Sequence, residues 1–309
     1  MWLGAVLPPS GGPGAWLTQW RLDPLTVALF LGAASLYAVG VIRARRLGPW
    51  RAGRVIAFAS GLAVLVAALC SPVDAYADVS FLTHMVQHLF LTLLAPPLLA
   101  LGAPITLALR AGGPRTRRAV VRVLRSRPAA FLALPLVGFV LFVAVPVLAH
   151  ATPLFDVALR SGGWHAFEHA LWLSAALVYW WPIVGADPMP RPVSYPVRLL
   201  SLFLVMPIMS FLALALYTAG APLYPTYAGL PAPWGPQALA SQHGAAVLMW
   251  LVGNLALVIA LLLVAAAWKR DEDRRQARLE EREDREAAGD QGRMGDQSST
   301  SSTRTASTS

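Results

Sequence analysis

Two histidines four positions apart, His84 and His88, open an apolar stretch, HMVQHLFLTLLAPPLLALGAP, that runs to Pro104. On a helix, residues i and i+4 share a face, with Cβ atoms roughly 5–6 Å apart. His84, Gln87 and His88 therefore lie together, and Leu91, Thr92 and Ala95 extend the same stripe. Two imidazoles at that spacing can hold a metal ion or the iron of a haem. The spacing recurs at His165 and His169, with Glu168 between them on nearly the same face. A carboxylate placed there can ligate a metal or orient an imidazole through its second ring nitrogen. His150 and His243 complete the six histidines, and Met85 and Met249 bring thioethers near them. Imidazole is a common ligand for copper, zinc and iron, and thioether sulfur suits Cu(I).

The elements that must position these groups are membrane helices. Of the 309 residues, 56% are hydrophobic and 13% charged, with a mean hydropathy of +0.55, too little charge for a soluble domain of this length. Several apolar runs reach about 20 residues, enough to cross a hydrocarbon core of roughly 30 Å. The expected fold is an all-α, polytopic seven-helix transmembrane bundle. Its segments are an extracytoplasmic lead-in at 1–23, a membrane domain at 24–268 and a tail at 269–309 that is charged and then disordered. Trp16 and Trp20 suit a membrane interface. The lead-in lacks a basic start, so no cleaved signal peptide is expected.

Charge sets the orientation. Loops after the first, third and fifth spans carry five, seven and two arginines, and those after the second, fourth and sixth carry zero, one and zero. The positive-inside rule then puts the N-terminus outside and the tail in the cytoplasm. The net charge of +9 arises from these clusters, so it reads as a topology signal with membrane lipid as partner, not as nucleic-acid binding. All six histidines fall near the outer ends of spans. His84 and His88 lie roughly 7–14 Å below the boundary at 1.5 Å per residue. Because ionisable groups inside a membrane face a protein interior and often mark function, the expected site is a metal centre open to the outer side. Its ligands are His84, His88, His165, His169, His243 and His150, with Glu168, Met85 and Met249 as weaker candidates. Cys70 reads as a small buried hydrophobe, and Met206 and Met209 read as packing residues. Pro96-Pro97 must end or kink the third span. No Walker motif, nucleophile elbow, HExxH or dinucleotide fingerprint is present, and a non-enzyme is expected.

With these residues in view, the chain resembles the polytopic CtaG family of cytochrome c oxidase assembly factors. The resemblance rests on HMVQHLFLTLLAPPLLALGAP, on the second H-x3-H followed by Trp180-Trp181-Pro182, and on QHGAAVLMW at 242–250. It implies a multi-pass protein of the bacterial plasma membrane that delivers copper to the copper B centre of a haem–copper terminal oxidase. The oxidase subunit or its assembly intermediates would then be the partner. His84, His88, His165 and His169 match the positions carried over as metal-binding. Where the family commonly has an Asp-Gln pair before the last span, this chain has Ser241-Gln242-His243. Two other readings stand beside this one, a di-haem oxidoreductase and a copper transporter. Two His pairs at one depth crowd two macrocycles, so haem is disfavoured. A transporter would need ligands continuing inward, and below His88 the third span offers mainly Thr92.

Overall fold

The structure is a computed structural model that describes residues 8, 9, 14 and 17–305. Trp16 and most of the 1–23 lead-in lie outside the described residues. Two compact units divide the chain, Met1–Leu261 and Leu262–Ser309. Every regular element among the described residues is helical. In chain order the long elements of the first unit begin with α1 (Pro24–Arg46) and α2 (Ala52–Leu69), followed by the short α3 (Pro72–Ala77). The histidine motif lies on α4 (Phe81–Leu89), which passes through a π-helical turn at Phe90–Leu94 into α5 (Ala95–Leu101). Then come α6 (Pro104–Ala111), the arginine-rich α7 (Pro114–Leu124), α8 (Arg127–Leu132) and α9 (Pro135–Ala151). A short α10 (Leu154–Ala158) leads to α11 (Gly162–Val184), α12 (Tyr195–Thr218) and the short α13 (Pro225–Ala228), and α14 covers Ala238–Thr305.

Five helical stretches are long and apolar enough to cross a membrane: Pro24–Arg46, Ala52–Leu69, Phe81–Ala111, Tyr195–Thr218 and Gly235–Glu283. Pro135–Ala151 is apolar but has 17 residues. Its expected start near 129 is displaced because Pro135 pushes Leu134 into an extended conformation (ψ 127°), which separates α8 from α9. Helix α11 has 23 residues, but His165, Glu168 and His169 dilute its apolar character.

Pro96 and Pro97 do not end the third span. A proline cannot donate to the carbonyl four residues back and its ring crowds that carbonyl, so the helix widens by one π-turn, with Ala95 N–H bonded to the Phe90 carbonyl. The Thr92 carbonyl, which residue 96 would have bonded in a regular helix, accepts instead from the Trp180 indole N–H at 2.7 Å. The helix then runs to Leu101 and stops at Ala103, which adopts a left-handed conformation (φ 50°).

Small residues let the central helices approach. A Cβ at Gly138 of α9 would come within 3.1 Å of the Val178 carbonyl and 3.2 Å of the Tyr179 Cα on α11. Beside this contact Phe142 and Tyr179 stack with ring centroids 4.3 Å apart. Helix α2, the π-turn and α5 close on Leu65, Ala68, Leu91 and Ala95. At the end of the bundle far from the histidines, Tyr37 stacks on Phe58 at 3.8 Å and donates to the Gly102 carbonyl at 2.8 Å. The buried Asp187 caps α6 there, accepting from the backbone N–H groups of Ile105 at 3.1 Å and Thr106 at 2.6 Å, and from the Thr106 hydroxyl. A carboxylate at a helix N-terminus satisfies orphan donors and meets the positive end of the dipole. Asp187→Ala should cost about 1–3 kcal/mol by leaving those donors bare. A lower apparent melting temperature of the detergent-purified protein would record it, with Asp187→Asn falling in between.

Candidate metal centre

Helix α4 turns three different flanks to its neighbours. Gln87 faces α2 and α3, donating to the Ala68 carbonyl at 2.8 Å and to Asp74 Oδ1 at 2.9 Å. His84 and His88 face α11, and Met85 and Leu89 border a cavity with α12 and α14. All five side chains are buried.

The central flank forms the site. The rings of His165 and His169 lie 4.2 Å apart, and those of His84 and His165 5.2 Å apart. His169 is 6.1 Å from both His84 and His88, and His150 of α9 is 6.4 Å from His88. Two sets of potential ligand atoms each fall within 4.8 Å of one another: His84, His88 and His169, and His84, His165 and Glu168. The Glu168 Oε1 atom lies 3.8 Å from His88 Nε2. Trp172, one turn after Glu168, stacks on the His88 ring at 3.9 Å with the planes 24° apart. Exposure falls from the half-buried His165, through Glu168 and His169, to His88 at 1% and His84 at 0%.

Hydrogen bonds fix how these rings present their nitrogens. The Tyr227 hydroxyl donates to the Ala77 carbonyl at 2.7 Å and lies 3.0 Å from His84 Nδ1. Its single proton is committed to the carbonyl, so His84 Nδ1–H must be the donor to Tyr227. Burial raises the Tyr227 hydroxyl pKa well above its ordinary value, which keeps that proton in place. The His84 Nε2 lone pair then points at His88 Nε2, 3.0 Å away, and His88 supplies the proton between them. His88 Nδ1 is consequently bare, and it is buried with no hydrogen-bond partner. His150 is held through Nδ1, 2.9 Å from the Tyr224 hydroxyl. The Nε2 atoms of His150, His165 and His169 and both oxygens of Glu168 are likewise buried without partners. Leaving such groups unpaired costs roughly 1–3 kcal/mol each. A cation would satisfy several at once, and the donor set of imidazole nitrogens plus one carboxylate fits copper or zinc.

Sequence reasoning placed His84, His88, His150, His165, His169 and Glu168 in one site, and the structure brings these six together. His243 stands apart: its Nε2 is 3.3 Å from the Ala219 carbonyl and its ring is 5.1 Å from Tyr217. Met85 and Met249 line the cavity beside His88 rather than the nitrogen cluster. Ser241, where the family pattern has an acid, accepts from the Leu82 N–H at 3.0 Å and ties α14 to the start of α4.

Tyr224 and Tyr227 were not singled out in sequence. They come from the uncharged loop 219–236, which folds over the histidines with Phe81 and Phe155 packed between. Asp156 of α10 accepts from the Thr226 N–H at 2.9 Å and is ion-paired with Arg160, which also reaches the Thr226 hydroxyl at 3.2 Å. The absence of charge in a long loop between two spans was the one available signal, since such a loop must pack against something.

An all-helical multi-pass membrane protein with a buried histidine–glutamate cluster of metal-ligand spacing is the class that fold and site define. A family model described as cytochrome c oxidase caa3 assembly factor (Caa3_CtaG) matches residues 35–271, and the chain belongs to that family. It is 37% identical over 299 residues to an uncharacterized protein of Mycobacterium bovis and equally to one of Mycobacterium tuberculosis, covering 94% of this chain and 45% of each relative. An uncharacterized protein of Mycobacterium leprae is 34% identical over 296 residues, covering 93% of this chain and 44% of the relative. The chain thus spans about half the length of the curated relatives it matches. No solved structure matches it.

Tyr227→Phe removes the acceptor that orients His84. Loss of such an outer partner typically costs about 10–100-fold in metal affinity, and competition against a coloured chelator with copper or zinc should show a drop of that size with the melting temperature nearly kept. A second prediction concerns pH. Burial pushes Asp74 up to about 6, although Arg21, 3.6 Å away, and Gln87 pull it down. Folded Asp74 therefore holds its proton over a window, about pH 4 to 6, in which the unfolded chain has released it. Stability must fall as pH rises through that window. Asp74→Asn should flatten this part of the melting-temperature profile, and an unchanged slope would rule the assignment out.

Proposed function

We propose that the chain handles copper during assembly of a haem–copper terminal oxidase, receiving the ion at the histidine–glutamate cluster and passing it toward the oxidase copper B centre. The observation that carries this reading is the set of ring nitrogens and carboxylate oxygens buried together without partners, next to the His84–His88 pair. Membership in a family of oxidase assembly factors supplies the context. Copper is cargo in this reading, and the chain performs no chemical turnover. The partner is an oxidase subunit or its assembly intermediate, met at the bacterial plasma membrane.

The same reading takes α9 and α11 as spans alongside the five longer stretches, giving seven, with the N-terminus outside. The arginine bias supports this, as does the position of the cluster at the end of the bundle away from Arg110 and the basic α7. Haem is the poorer fit. His84 Nε2 and His88 Nε2 are 3.0 Å apart, and the cavity beside them holds about 50 Å³, far less than a macrocycle requires.

Metal analysis of the purified protein beside a His84→Ala/His88→Ala variant tests the reading. Copper should be retained near stoichiometry by the parent and lost from the variant, and equal near-zero copper in both would defeat it. In cells, deletion should leave an assembled oxidase that lacks copper B at unchanged total copper. Changed cellular copper with a fully loaded oxidase would indicate transport.

A further inference from the structure

His88 closes one side of a second compartment that the nitrogen cluster does not use. A cavity of about 50 Å³ lies between α4, α9, α11, α12 and α14. Roughly 10–15 Å³ suffices for one water, so the space takes a bare ion with a ligand or two but nothing larger. Its wall includes three methionines from three different helices, Met85, Met209 and Met249, together with His88, His150 and Thr92. The rest of the wall is aliphatic or aromatic. Met85 and Met249 are 2% and 7% exposed. Helical spacing explains the convergence: Met85 stands one turn before His88 and Leu89, and Met249 repeats at i+4 and i+8 with Gly253 and Leu257.

Methionine is a common gap-filler in irregular cores, which accounts for one thioether at such a place. Two further observations point beyond packing. His88 Nδ1 and His150 Nε2 belong to rings in this wall, and both are buried without a hydrogen-bond partner. The Thr92 hydroxyl proton is already committed to the His88 carbonyl, so it cannot serve the bare His88 Nδ1. Three neutral sulfurs and two neutral imidazoles in an apolar surround carry no anionic charge. Such a set favours a soft monovalent ion over Zn(II), which is better served by Glu168 in the adjoining cluster.

We propose that this cavity is a second station, selective for Cu(I), that shares His88 with the histidine–glutamate site. The proposal rests on the reading of that site as a copper site and adds a separate, sulfur-bearing compartment with its own selectivity. A cation enters at the half-buried His165, passes the buried Glu168 to the His84–His88 pair, and is retained as Cu(I) where thioethers replace the carboxylate. No change of oxidation state is required of the protein, since the ion offered is already monovalent.

The test uses the full chain in detergent under anaerobic conditions, loaded separately with Cu(I) and with Zn(II). The X-ray absorption spectrum of the Cu(I)-loaded parent should contain sulfur as well as nitrogen scatterers. In Met85→Leu/Met209→Leu/Met249→Leu, a volume-conserving change, the sulfur signal should vanish. Cu(I) retention against a chelator should fall by roughly tenfold or more, and Zn(II) retention should be unchanged. A nitrogen-only spectrum from the parent overturns the proposal without needing any variant to fold, and leaves the copper reading standing. Undiminished Cu(I) retention by the triple variant also overturns it. A parent that retains neither ion overturns both.

Discussion

Placing five imidazoles and a carboxylate beside one another, away from water, is the constraint on which the rest of the structure depends. Each ring must be oriented or its polar atoms are wasted, and the orienting groups come from two parts of the chain, helix α11 and the loop 219–236. Trp172 stacks on His88, Tyr227 fixes His84, and Tyr224 holds His150. The close pass of α9 and α11 at Gly138 brings His150 and the second histidine pair to the same end of the bundle. The cap at Asp187 and the stack at Tyr37 fasten the opposite end of the bundle.

The two loops at the histidine end of the bundle act as one part. Asp156, Arg160 and Thr226 join the segment after α9 to the segment after α12, and the aromatic rings of Phe81, Phe155, Tyr224 and Tyr227 fill the space beneath. The lead-in is tied to the same region, because Arg21 reaches both Asp74 and Asp78, and Asp74 in turn meets Gln87 of the histidine helix. Polar contacts outside the spans thus hold the rim, and apolar contacts within them hold the floor.

Much of the site was legible in sequence because helical periodicity is local. The H-x3-H spacing put each pair on one face, and Glu168 fell on that face by the same count. What could not be read was anything set by contact across the bundle. His243 was expected beside the others, yet α14 turns it toward Ala219, while Met249 on the same helix reaches the cavity. Met209, read as a packing residue, lines that same cavity, a neighbourhood no single-helix pattern reveals. The rule for proline, which describes a lone helix, left an end and a kink equally open at the proline pair. Here an indole from α11 satisfies the freed carbonyl and a π-turn absorbs the ring, so the helix continues.

The hydrogen bond between His84 and His88 has a consequence for occupancy. With His84 protonated on Nδ1 toward Tyr227, the proton lying between the two Nε2 atoms belongs to His88. An ion that engages both Nε2 atoms must take that proton's place. The proton can move to the bare Nδ1 of the same ring, on the side of the methionine-lined cavity, or leave the site altogether. Filling and emptying the pair with such an ion would be an exchange, because a proton already lies between the two nitrogens.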